Sequence, residues 1–150
     1  MAGLPGAVLF ACGLNRVRSP MAAGLTRRMF GSRLFVDSCG LRHDPDAWPD
    51  PFVTAVMDEA GIDMSGHRAK TFDELEDESF DLVISLSPEA HHRAGELARG
   101  RAIELEYWPT LDPTLAAGSR DQVLEAYRAV RDSLEARIRA RFPLARTFGG

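Results

Sequence analysis

The stretch AVLFACGLNRVRSPMAAGL, residues 7–25, constrains the fold more than any other part of the chain. Its first five residues are apolar without a polar break. Such a run reads as a strand buried on both faces. Seven loop residues follow, and then Ser19 and Pro20. Serine is a favoured helix N-cap and proline suits the first helical position. A helix is therefore predicted over 19–31, stopped by Gly31. A doubly buried strand that leads at once into a helix belongs in a parallel sheet with helices packed on both sides.

The rest of the chain repeats that alternation. Strands are predicted at 33–39, 80–87 and 101–108. A helix over 50–62 carries Phe52, Val53, Val56, Met57 and Ala60 at helical spacing and stops at Gly61. Residues 63–79 form a polar connection with one short helix. Pro88 opens a helix over 88–99. The helix over 119–142 is capped by Ser119, has Asp121 at its positive end, and buries Val123, Tyr127, Val130, Leu134 and Ile138. No repeat or linker interrupts the 150 residues, which suit one core. The expectation is one α/β domain over 1–150, with a loose tail from about 143 to 150.

Composition narrows the function. The net charge of −4 offers no basic face for nucleic acid, and its cations are almost all arginine. Two cysteines, Cys12 and Cys39, are too few for a disulfide-built secreted domain and show no zinc spacing. The N-terminus lacks the basic start of a signal peptide, and no apolar run reaches membrane-spanning length. A cytoplasmic protein with free thiols, no membrane partner and no metal is expected. His91 and His92 are adjacent on a helix and diverge around it, which is poor metal geometry and reads as a solvated face.

In open parallel sheets, ligands bind beyond the carboxyl ends of the strands. The segment CGLNRVRS, 12–19, lies at such an end. A helix N-terminus presents unpaired N–H groups and a positive dipole end, and a tight loop before it can turn further N–H groups inward as an anion nest. Phosphate-binding residues are thus read at Gly13, Leu14, Asn15, Arg16, Val17 and Arg18. The Arg18 guanidinium forks onto two oxygens of a phosphate-like anion. The same field favours the thiolate form of Cys12, and the Ser19 hydroxyl can donate to it. A thiolate held beneath a bound phosphate is placed to attack phosphorus. Phosphate or sulfate is an expected occupant of the loop.

Strand, cysteine, five residues, Arg-Ser-Pro and helix together resemble the low-molecular-weight protein tyrosine phosphatase family. VDSCG, WPDPFVTAVMDEAGIDMSGHRAK, FDLVISLS and LDPTLAAGS resemble later segments of that family, so the likeness runs along nearly the whole chain. It implies a three-layer domain whose four parallel strands run in the order 2-1-3-4, with helices on both faces. It implies a phosphatase without cofactor that acts on phosphotyrosine proteins or small phosphate esters through a phosphocysteine. Asp112, in LDPTL, would then be the general acid and later the base, Asn15 the loop-shaping asparagine, and His67 its supporting partner.

The sequence also departs from the family. Leu14 stands where glycine is frequent, and must face outward or forward. Arg16 stands at a wall position that is commonly apolar, and favours further negative charge near the phosphate. DPTL lacks the aromatics of tyrosine-selective members, and Trp48 is the one aromatic in the loop after the second strand. Val17 replaces a protective second cysteine, a role Cys39 could take by pairing with Cys12. The related thioredoxin-coupled arsenate reductases have a similar ending but carry redox cysteines after the third strand, where this chain has Ser85 and Ser87. Two alternatives to the phosphatase follow. One is a non-catalytic phosphate-binding or regulatory module; the other is an arsenate reductase-like protein. Oligomeric state is not legible.

Overall fold

The computed structural model describes residues 4–44 and 50–143. Trp48 and the tail beyond 143 lie outside the described residues. Four strands, β1 (Ala7–Ala11), β2 (Phe35–Cys39), β3 (Leu82–Ser85) and β4 (Glu104–Tyr107), form one sheet in the order β2-β1-β3-β4. All three pairings are parallel, and the expected order is met. The helices are α1 (Arg18–Phe30), α2 (Pro51–Glu59), α3 (Pro88–Ala98) and α4 (Arg120–Arg141).

The period of two along β1 explains the layers. Val8 and Phe10 enter one core with Met21, Ala22 and Leu25 of α1, Val56 and Met57 of α2, and Tyr127, Leu134 and Ile138 of α4. Leu9 and Ala11 enter the other, with Ala90, Ala94 and Leu97 of α3 and with Phe72 and Phe80. Both faces of the strand are covered, so every residue from Val8 to Ala11 is apolar and fully buried.

Most helix signals act as read. Gly31 closes α1 at φ 56°, Pro88 opens α3 and Ser119 caps α4; the structure adds Ser87 as the cap of α3 and Gln122 as the second half of a capping box on α4. Val123 is only partly buried; Leu124 beside it enters the core. Two readings are corrected. Ser19 does not cap α1, which begins at Arg18, two residues before the expected first helical position, with Val17 at the cap position and no side-chain cap. His91 does not sit on a solvated face; it is half-buried and stacks on Tyr107 at 5.2 Å between ring centroids.

Candidate active site

The expected cluster gathers at the carboxyl end of β1. Gly13, Leu14, Arg16, Val17 and Arg18 line a cleft of about 340 Å³ with Cys12 and Asp112. Asn15 is fully buried beneath them.

Asn15 organises the loop. It is the one non-glycine residue at positive φ among those described, at 55°, a conformation asparagine tolerates better than most residues. Leu14, standing where glycine is frequent, therefore needs no left-handed backbone. The Asn15 Nδ2 donates to the hydroxyls of Ser19 and Ser38, each at 2.9 Å. Its Oδ1 accepts from the Lys70 N–H at 3.0 Å. A backbone N–H only donates, so that bond fixes which way the amide faces. His67 Nε2 lies 2.9 Å from the Asn15 carbonyl. A carbonyl only accepts, so Nε2 carries the hydrogen. Burial holds the His67 pKa below its ordinary value, partly offset by this bond.

That arrangement explains why Ser19 is not a cap. Its hydroxyl receives the Asn15 donor and lies 2.9 Å from Cys12 Sγ. The hydroxyl also donates to the Cys39 carbonyl at 3.4 Å. Either Oγ or Sγ can donate in the contact they share, and with Cys12 as a thiolate only the hydroxyl can. The cost is an α1 terminus without a side-chain cap, whose first N–H groups border the cleft.

Arg18 and Asp112 meet across the cleft. The Arg18 Nη1 donates to the Thr110 carbonyl at 3.0 Å, and Nη2 lies 4.0 Å from Asp112 Oδ2. Asp112 opens the turn Pro113–Leu115 with its other oxygen, which accepts from Thr114 N at 3.0 Å and Thr114 Oγ1 at 2.6 Å. One carboxylate oxygen is structural, and the other faces the site. Arg16 lines the cleft and also reaches two carboxylates. Its guanidinium lies 3.7 Å from Asp44 and 3.9 Å from Asp50. Asp50 is itself buried, caps α2 and accepts from the Tyr127 hydroxyl. This pairing offsets the extra positive charge that Arg16 was read to offer the phosphate.

Several positions were not read as part of the site. Gly40 is the clearest, because a Cβ there would sit 2.7 Å from the Asn15 N and 2.9 Å from the Gly13 O. The end of β2 can approach the loop only without a side chain. Gly13 O accepts from Leu41 N at 2.7 Å. The glycine directly after a strand was the available signal. Ser38, Thr110 and the Lys70 backbone carried none, since their partners are far away in sequence.

Cys39 and Cys12 belong to different cores, on opposite faces of the sheet. Burial, and then the charges of Cys12 and Asp37, push the Cys39 thiol well above its ordinary pKa. Iodoacetamide at neutral pH is expected to alkylate Cys12 and spare Cys39. Peroxide is expected to leave no Cys12–Cys39 linkage in a peptide map.

Replacing Asn15 by Ala removes three side-chain hydrogen bonds and places a less tolerant residue at positive φ. A loss of about 2–4 kcal/mol of stability is expected by thermal unfolding.

The sequence profile of the low molecular weight phosphotyrosine protein phosphatase family matches residues 7–145. A glutaredoxin arsenate reductase of Synechocystis is 30% identical over 131 residues, covering 87% of this chain and 92% of that protein. An arsenate reductase solved in its phosphate binding state superposes with a TM-score of 0.73 at 30% identity, covering 89% of this chain and 94% of that one. The tyrosine phosphatase of Erwinia amylovora has the same fold, with a TM-score of 0.74 at 19% identity and 95% of both chains covered. Matched over nearly its whole length, the chain belongs to the low molecular weight phosphotyrosine protein phosphatase family.

Proposed function

We propose that the chain is a cysteine-dependent phosphatase that hydrolyses phosphotyrosine or small phosphate monoesters in the cytoplasm, without metal or cofactor. One observation carries this reading. The Cys12 sulfur lies 2.9 Å from the Ser19 hydroxyl and shares its cleft with Arg18, whose guanidinium lies beside the site-facing oxygen of Asp112.

In this reading the phosphate dianion lies over the loop from Gly13 to Arg18. The uncapped N–H groups of α1 and the Arg18 fork hold its equatorial oxygens. Cys12 attacks phosphorus, forming the S–P bond as the bond to the leaving oxygen breaks. Asp112 gives its proton to that oxygen. It then takes a proton from water as the water attacks phosphocysteine, which releases phosphate and restores the thiolate. Ser19 steadies the thiolate between turnovers. Asn15 and His67 hold the loop in shape.

The names of the relatives favour a second reading, arsenate reduction. That reaction transfers two electrons and needs a second thiol to attack sulfur-bound arsenic or Cys12. The one other cysteine of the chain is Cys39, buried on the far side of the sheet, and Ser87 at the cleft has no redox chemistry. A reductase would take its second thiol from another molecule. A phosphate-binding module without turnover is the third reading.

One assay separates them. Hydrolysis of p-nitrophenyl phosphate with EDTA at mildly acid pH is run beside arsenite formation with glutathione and glutaredoxin. Ester turnover without arsenite supports the phosphatase. Arsenite formation without ester turnover overturns it in favour of the reductase. Bound phosphate with neither reaction leaves the binding module.

A further inference from the structure

The charges around the cleft divide into those that have partners and those that do not. Arg18 faces Asp112, and Arg16 faces Asp44 and Asp50. Two charged residues lining the same cleft are left, Arg42 and Glu89. Both are exposed, and among the described residues neither side chain forms an ion pair or hydrogen bond.

Topology puts them on opposite sides. The sheet order is β2-β1-β3, and the phosphate loop leaves the end of β1 in the middle. Arg42 follows β2 and Glu89 follows β3, so they flank the loop left and right. Both are held in place. The Arg42 N–H donates to Gly13 O at 3.3 Å, which ties its backbone to the loop itself. Glu89 lies in the first turn of α3, directly after the Ser87 cap and Pro88. A cation on one flank and an anion on the other, with a phosphate site between, select for the direction of a ligand and not merely its charge.

We infer that the substrate is a phosphorylated polypeptide segment carrying opposite charges on its two sides, an acidic residue against Arg42 and a basic residue against Glu89. The inference rests on the phosphate-binding reading of the loop from Gly13 to Arg18. It deepens the proposed function by naming the substrate class. A phosphate ester without other charges engages neither Arg42 nor Glu89. An extended chain advances about 3.3–3.6 Å per residue on both sides of its phosphoresidue, so it can offer side chains to both flanks at once. Both flanking contacts are solvent-exposed, so together they are worth about tenfold in affinity and weaken with salt.

The test uses the full-length Cys12→Ser variant, so that binding is measured without turnover. Two phosphotyrosine peptides of identical composition are compared by calorimetry at low and high salt. One has Asp before and Lys after the phosphoresidue, and the other has the reverse order. A preference of about tenfold for one order is expected, shrinking at high salt. Adding Arg42→Glu and Glu89→Lys together is expected to invert the preference, and the ratio cancels any loss common to both peptides. Equal binding of both orders overturns the inference while leaving phosphate binding intact. So does free phosphotyrosine binding as tightly as the better peptide, which assigns the flanks to a small zwitterionic ester. A preference that the double reversal fails to change places its origin elsewhere and overturns the assignment to Arg42 and Glu89. If neither peptide binds, the inference falls. Hydrolysis of p-nitrophenyl phosphate by the wild type shows separately whether the phosphatase reading falls with it.

Discussion

Cys12→Ser is expected to lower the hydrolysis of p-nitrophenyl phosphate by at least about a thousandfold. The hydroxyl is a far weaker nucleophile than a thiolate, and no other nucleophile replaces it in the cleft. Ser19, Ser87 and Thr114 are near, but each hydroxyl has a structural partner. Ser19 serves Asn15, Ser87 caps α3, and Thr114 bonds Asp112. The substitution is nearly isosteric at a buried position, so the fold and phosphate binding are expected to persist. Phosphate protection against thermal unfolding checks this directly. Full activity in the Cys12→Ser protein would remove Cys12 from the mechanism and the phosphatase reading with it.

Asp112 gives the second large effect, and two substitutions separate its roles. Its Oδ1 builds a turn and its Oδ2 faces the site. Asp112→Asn retains an acceptor for Thr114 but cannot move a proton. Asp112→Ala loses both. Each is expected to lower the turnover of phenyl phosphate about 10²–10³-fold, the usual worth of a positioned acid. The loss should be smaller for p-nitrophenyl phosphate, whose leaving oxygen is less basic and needs less protonation. If the Asn variant kept the wild-type rate on both esters, Asp112 would be a turn residue only. If Asp112→Ala lost both esters equally, its role would lie in placing Arg18 instead.

The architecture was legible because its signals are local. The apolar runs, Gly31, Pro88 and Ser119 each act within a few residues of themselves. The candidate loop was legible for the same reason, since Cys12, Arg18 and Ser19 occupy eight consecutive positions. The cap reading of Ser19 failed, while its expected contact with the Cys12 sulfur is met: the hydroxyl serves Asn15 and Cys12, four and seven positions away, and not the helix end. The acidic partners of Arg16 were not legible either, because the buried Asp50 lies 34 positions onward. Gly40 and Ser38 carry the end of β2 against the loop, and nothing near them in sequence reveals that they meet it.

The bonds of Asn15 also bear on when the site comes into existence. They join it to positions 4, 23, 52 and 55 residues away. The three long ones close late, because each carries the entropy of a long loop. The loop from Gly13 to Arg18 therefore cannot take its final shape until β2 and the 67–70 segment have both docked. A nascent or partly unfolded chain carries the cysteine but not the cradle. In the proposed function, chemical competence therefore depends on the finished fold, the bonds from His67 and Lys70 included.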